Sequence, residues 1–224
     1  MSPIEIDERK RMGYFITFEG IEGSGKSTQA TRLAANLESA GVDVVFTREP
    51  GGTAIGTQIR RILLSAGNED LDPLAELFLY EADRAQHTAG ILVPALESGA
   101  WVVCDRFMDA TTVYQGFVRG LPEDFVTKLN TTASMGIRPH LTCLIDCPVD
   151  IGLARARKRE GDGGQDRFER ENSEFHEAVR QGYLSLARKE PERFIVFDGT
   201  RQVDFLASEI QSYVLKLFFE NRDG

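Results

Sequence analysis

The chain has 224 residues, 42% of them hydrophobic, and carries a formal charge of −9 from 26 Lys and Arg against 35 Asp and Glu. That length fits one large domain with a full core, and the acidic balance argues against a general electrostatic grip on nucleic acid, so any anion site must be a local basic cluster. No uninterrupted apolar stretch reaches membrane-spanning length, and the three cysteines suggest neither a disulfide framework nor a zinc site.

The first residues, 1–11, are polar and charged and lack the apolar segment of a secretory signal. They read as a loose tail, with residues 12–224 forming one domain. A strand-like apolar run, Tyr14–Phe18, leads into Gly20-Ile21-Glu22-Gly23-Ser24-Gly25-Lys26-Ser27-Thr28, which contains a G-x-x-x-x-G-K-[ST] phosphate loop. A helical pattern follows, with Ala30, Leu33, Ala34 and Leu37 on one face and Gly41 as its stop. Glycines let the backbone wrap closely around phosphate oxygens, and the successive N–H groups with the positive helix end bind the anion. Lys26 is expected to reach the β- and γ-phosphates and Ser27 to hold Mg²⁺.

The second apolar run is Val42–Thr47, and helical patterns follow at Ile55–Ser65 and Asp72–Ser98. Thr53 reads as a turn or cap residue. Asp72-Pro73 supplies a cap and a first-turn proline, and Pro94 is expected to kink or divide the longer helix. The third run, Trp101–Cys104, ends in Asp105-Arg106, and the helical segment Pro122–Ala133 precedes the fourth run, Leu141–Ile145. Cys143 and Cys147, four apart on an extended strand, would stand about 13 Å apart, too far for a disulfide, so buried reduced thiols are expected. Asp150–Arg159 reads as a helix capped by its aspartate, overlapping a basic, then glycine-rich stretch from Arg155 to Gly164. That composition suits a mobile lid, at about 155–169. Ser173–Lys189, the run Phe194–Phe197 and the helix Val203–Phe219 complete the chain.

Buried strands alternating with helices imply a parallel sheet covered on both faces, with ligands beyond the carboxyl ends of the strands. The segments after the first three runs carry the candidate chemistry. Asp105 suits Mg²⁺, directly or through water, and Arg106 suits a second phosphate through paired hydrogen bonds. Arg48, Arg84, Arg119 and the run Arg155–Arg159 add positive charge near the same rim. The isolated histidines His87, His140 and His176 read as structural or exposed. A GTP switch would need an Asn-Lys-x-Asp segment, which the chain lacks. A switch or binding module without an acceptor, another nucleoside or nucleotide kinase of the same fold, and a nucleic-acid-remodelling ATPase are the rival readings. The paired arginine motif and basic lid count against the first, and the acidic charge against the last.

Six motifs stand in order: Phe18 to Thr28, Thr47-Arg-Glu-Pro-Gly-Gly-Thr53, Ala82-Asp-Arg-Ala-Gln-His87, Asp105-Arg-Phe107, Tyr114-Gln-Gly116 with Arg119-Gly120, and Asp166-Arg-Phe-Glu169. Together they resemble the thymidylate kinase family of the bacterial type, from Tyr14 to about Phe218. The resemblance implies an α/β fold of the P-loop NTPase type, a five-stranded parallel sheet with helices on both faces and a small lid segment. It implies transfer of the ATP γ-phosphate to dTMP, giving dTDP for dTTP synthesis, with Mg²⁺. It implies a cytoplasmic homodimer with no nucleic-acid or membrane partner.

By the same resemblance, Arg106 and Arg48 lie near the acceptor phosphate and Arg84 near the thymine edge. Thr111 and Gln115 read the base, Tyr114 lies beneath the sugar and disfavours a 2′-hydroxyl, and Glu22 is near the 3′-hydroxyl and the metal. The bacterial type lacks a loop arginine and places catalytic arginines in the lid. Gly23 fits the first feature and Arg155, Arg157 and Arg159 fit the second, with Arg155 and Arg159 taken as the catalytic pair. Glu169 is expected to assist the metal or to pair with Arg167. Two positions depart from the family pattern. Tyr80 stands where a phenylalanine usually stacks on thymine, a role tyrosine retains. Thr111 replaces the frequent asparagine or serine, with less hydrogen-bonding capacity than an amide.

Overall fold

The computed structural model describes residues 13–160 and 167–218. The tail 1–11, the middle of the expected lid and the side chain of Arg159 lie outside the described residues. Each of the five apolar runs is a strand: β1 (Phe15–Glu19), β2 (Val44–Arg48), β3 (Trp101–Asp105), β4 (Leu141–Asp146) and β5 (Phe194–Asp198). They form one parallel sheet in the order β2-β3-β1-β4-β5. Strand periodicity divides their side chains between two cores. Ile16, Phe18, Val103, Leu141, Cys143 and Ile145 face one side, whereas Phe15, Val102 and Cys104 face the other. Burial on both faces is why these runs are apolar without alternation.

Helix α1 (Lys26–Ser39) and helix α9 (Val203–Phe218) cover the first face. Ala30, Leu33, Ala34 and Leu37 are buried as the spacing predicts, and Gly41 follows at φ +83°. Helices from the β2–β3, β3–β4 and β4–β5 connections pack on the second face. Helix α2 (Ala54–Leu64) starts where Thr53 Oγ1 accepts the Gly56 N–H at 2.9 Å. Helix α3 (Pro73–His87) starts where Asp72 Oδ1 accepts from Leu74 at 2.8 Å. The segment around Pro94 is divided in helix type but not interrupted. A π turn at Thr88–Leu92 leads directly into α4 (Val93–Glu97). The wider turn accommodates a residue that has no N–H and crowds the carbonyl four residues back.

Helix α5 (Met108–Thr111) and a second π turn (Thr112–Val118) carry the Tyr114-Gln115-Gly116 motif, a stretch not predicted as helical. Its threonines and valines are weak helix formers, and tertiary packing against the partners below overrides them. Next come α6 (Glu123–Ala133), α7 (Val149–Glu160) and α8 (Ser173–Lys189). Asp150 lies inside the first turn of α7 rather than capping it. Helix α7 also runs through Glu160, so Arg155 and Arg157 stand on a helix. The three cysteines are free and buried. His87 is structural, bonded to Thr47 and Glu49, and His140 Nδ1 accepts the Phe15 N–H at 2.9 Å. Among the described residues no helix is long and apolar enough to cross a membrane.

Register aligns the three motif-bearing strand ends, since Asp105 pairs with Phe18 of β1 and with Arg48 of β2. The loops that follow therefore leave the sheet at one level and meet over one cavity.

Candidate active site

The phosphate loop is pressed between β4 and α7. Gly20 leaves β1 at φ +142°, where an added Cβ would lie 2.5 Å from the Ile145 carbonyl oxygen. Gly23 turns at φ +68°, and a Cβ there would lie 1.9 Å from the carbonyl oxygen of Gly152 on α7. With α7 in this position no side chain fits at position 23. Helix α1 then begins after Gly25 without a side-chain cap, so its first N–H groups are left for an anion. Helices α2, α3 and α8, by contrast, are capped by Thr53, Asp72 and Asn172. Lys26 is buried and curls over its own loop, with Nζ 3.3 Å from the Ile21 carbonyl and 3.5 Å from Glu22. Burial, and then Arg106, pull its pKa down.

Over this loop opens a cavity of about 360 Å³, a size typical of small-ligand sites. Glu22, Lys26 and Ser27 line it on the loop side, and Asp105 and Arg106 line it from the end of β3. The Arg106 guanidinium bridges the two sides. Nη2 donates to Glu22 Oε1 at 2.5 Å and to Tyr114 Oη at 3.3 Å, and Nη1 donates to Tyr183 Oη at 2.9 Å. It also stands 5.3 Å above the Tyr114 ring. Burial alone would push the Glu22 carboxyl up, but Lys26 and Arg106 outweigh it and hold the group well below the usual carboxylate range. Beneath them, buried Glu19 is pushed up to about 7 by burial, against the pull of Arg106.

The residues present fit a divalent cation. Asp105 Oδ1 is buried with no hydrogen-bond partner, and Ser27 lines the same cavity. A hard cation that keeps its waters and binds phosphate oxygens needs few protein ligands. The described residues hold no group of three or more His, Cys, Asp or Glu side chains placed to hold a metal ion.

The far wall holds the expected acceptor residues. Arg84 is buried, and four of its five donors are committed: Nε to Glu49, Nη1 to both Glu81 and Asn130, and Nη2 to Thr111 at 3.0 Å. Thr111 Oγ1 thus accepts from Arg84, leaving its own proton to donate. Gln115 Nε2 donates to Glu76 Oε1 at 2.7 Å, which leaves the amide oxygen as its acceptor. Tyr80 and Tyr114 also line the cavity, Tyr80 half-buried rather than sunk in the core. Arg48 is exposed at the rim, with no ion pair among the described residues.

Three residues outside the predicted set belong to this site. Arg60 on α2 lines the cavity, and its Nη1 donates to the Pro50 carbonyl at 2.9 Å. Burial and then Arg48 lower its pKa, a sign of two guanidinium groups crowded at one end. Position 60 follows the Thr53 cap by seven residues, so it lies on the helix face of the cap; that offset was the available signal. Tyr183, at a buried position of α8, turns its hydroxyl to Arg106 and to Glu19. Glu76 is fully buried between Gln115 and Arg167.

Other expectations are redirected. Arg155 Nη1 donates to the Gly199 carbonyl at 2.7 Å, and Arg155 does not line the cavity. It therefore stands behind the phosphate loop, because the α7 helix carries it toward the turn after β5. Arg119 pairs with Glu171 at 3.0 Å and stacks over Phe175. Arg167 bonds Glu76 and the Leu63 carbonyl, while Glu169 lines the cavity.

A family model for thymidylate kinase matches residues 18–210. The chain is 55% identical over 207 residues to a thymidylate kinase of Geobacter sulfurreducens, covering 91% of this chain and 97% of that relative. It is 53% identical over 208 residues to a thymidylate kinase of Pelobacter propionicus, covering 92% and 95%. The crystal structure of thymidylate kinase from Ehrlichia chaffeensis superposes with a TM-score of 0.72 at 34% identity, covering 91% of this chain and 98% of that one.

Proposed function

This chain belongs to the thymidylate kinase family, and on that premise we propose how its residues transfer the γ-phosphoryl group of ATP to dTMP to give dTDP. The chemistry needs positioning and charge neutralisation more than covalent help. The amides of Gly20–Thr28 and Lys26 hold the ATP phosphates. Mg²⁺ would be held by Asp105 and Ser27 together with phosphate oxygens, and would neutralise charge on the transferring group. The acceptor is a phosphate already largely ionised at neutral pH, so no strong general base is required.

Arg106 is the pivot of this reading. It touches Glu22 of the donor loop at 2.5 Å and lines the same cavity as the acceptor residues. With Arg48 and Arg60 it orients the acceptor oxygen. Glu22 keeps Arg106 and Lys26 apart and in reach of the sugar and metal. Arg84, Thr111 and Gln115 offer two donors and an acceptor to a thymine edge, Tyr80 a stacking ring, and Tyr114 a floor for the sugar. Arg155, held by Gly199, serves the donor side, which leaves Arg159 as the lid arginine for charge compensation. Exposed Ile55 and Ile62 on α2, Phe78 on α3 and Phe125 on α6 support a homodimer packed through these adjoining helices. The reduced cysteines suit the cytoplasm.

The test is dTMP-dependent ADP formation. Arg106→Ala is expected to lower kcat/KM for dTMP by about 10³, and dUMP, dCMP and dAMP are expected to be poorer acceptors than dTMP. Activity within a few-fold of the parent would remove Arg106 from the acceptor site.

A further inference from the structure

Arg106 is unusual in two respects. Its backbone sits at φ +70°, a left-handed conformation that a residue with a side chain adopts only when its surroundings enforce it. Its guanidinium is turned back across the phosphate loop to Glu22 rather than out to solvent. Both features converge on one carboxylate that the motif reading assigns no role, Glu19, which is fully buried at the end of β1.

The two Glu19 oxygens divide the work. Oε1 accepts the N–H of Phe107 at 2.8 Å and so fixes the peptide that follows Arg106. Oε2 accepts the Tyr183 hydroxyl at 2.7 Å, and the oxygen of that hydroxyl accepts Arg106 Nη1 at 2.9 Å. Direct contact between Arg106 Nη1 and Glu19 is only 3.8 Å, beyond hydrogen-bond reach, so Tyr183 is the relay. With the Glu19 carboxylate ionised, the direction of the relay is forced. A guanidinium only donates, so the single Tyr183 proton has Glu19 as its acceptor.

We propose that Glu19, acting through Tyr183 and the Phe107 N–H, is the positioning residue that holds Arg106 in its phosphate-binding conformation. This rests on the reading of Arg106 as the acceptor-phosphate ligand. Glu19→Gln is nearly isosteric yet breaks the relay. With its amide oxygen on Phe107, the amide nitrogen donates to Tyr183, whose proton is then left facing donors alone. Tyr183→Phe removes the relay hydroxyl and keeps the ring.

The experiment is steady-state kinetics of Tyr183→Phe and Glu19→Gln, each made in the parent and in Arg106→Ala. A hydrogen bond to a charged group corresponds to about tenfold or more. Each variant is therefore expected to lower kcat/KM for dTMP at least about tenfold in the parent while leaving KM for ATP within about twofold. In the Arg106→Ala background the same substitutions are expected to change residual turnover less than about twofold, since there is no guanidinium left to aim. A purely structural role would show the same loss in both backgrounds, and that result overturns the proposal. So does a Tyr183→Phe enzyme with parental kcat/KM beside a crippled Arg106→Ala. If Arg106→Ala itself stays active, the acceptor reading fails and the proposal fails with it. Should Glu19→Gln not fold, as judged by circular dichroism, Tyr183→Phe decides alone.

Discussion

Adding one methyl group to the phosphate loop, as Gly23→Ala, should disable the donor site without touching a charged residue. The added Cβ would lie 1.9 Å from the Gly152 carbonyl oxygen on α7. Relief requires the loop or the helix start to move by about 1.5 Å, since a comfortable contact is about 3.5 Å. The φ of +68° adds about 1–2 kcal/mol for a residue with a side chain, and overpacking of this kind costs about 1–3 kcal/mol. The sum, about 2–5 kcal/mol, is shared between folding and the loop geometry that binds phosphate. If the loop yields, KM for ATP rises by about 30-fold or more. If the loop holds, Tm falls instead by several degrees. The two readouts are KM for ATP at saturating dTMP and thermal unfolding without nucleotide. Gly152→Ala, whose Cβ would lie 2.6 Å from the Glu22 carbonyl oxygen, should behave the same way from the other side. Gly23→Arg should fail on sterics before its charge matters. A Gly23→Ala enzyme with KM for ATP within threefold and an unchanged Tm would refute the packing of the loop on α7.

Asp105→Asn keeps the shape but removes the charge from a buried oxygen without a partner. It should raise the Mg²⁺ concentration needed for half-maximal rate at least tenfold; an unchanged Mg²⁺ titration would place the cation elsewhere. Thr111→Val deprives Arg84 of its 3.0 Å acceptor and should cost about 1.5–3 kcal/mol, read as a tenfold or larger rise in KM for dTMP with KM for ATP constant. Glu19, faced by Arg106, Asp109 and Tyr183, is raised from 4.5 to about 7, burial being the main cause. An acid raised on folding contributes stability that is complete below its unfolded pKa and is lost as pH rises through the folded one, here between about 4.5 and 7. Glu19→Gln never ionises. Urea titrations from pH 5 to pH 8 should therefore show stability shifting toward the variant, relative to the parent, by about 2–3 kcal/mol. A gap that is constant with pH would contradict the raised pKa of Glu19.

All five strands and most helix limits could be read from the chain, because their causes are local. Ser173–Lys189 needs only its apolar spacing and the Asn172 cap; Pro73 and Asp72 set the start of α3. The phosphate loop is equally local, since three closely spaced glycines, Lys26 and the start of α1 build an anion site within nine residues. Fold class and reaction class follow from such short-range features and their order along the sheet.

Other features have causes far away in the chain. The π turn at Thr112–Val118 runs against the preference of its own residues and exists because α6 and α8 pack on it. Tyr183 looks like any apolar position of α8 until folding brings Glu19, 164 residues earlier, to its hydroxyl. Arg155 looked like a lid arginine, but α7 directs it to Gly199. Arg60 enters the cavity only once α2 lies beside the turn at Pro50. Periodicity and caps are properties of neighbours in sequence, so the chain displays them directly. Partners for buried charges are chosen by proximity in space, where desolvation makes every unpaired polar atom costly, and proximity exists only after the elements have packed.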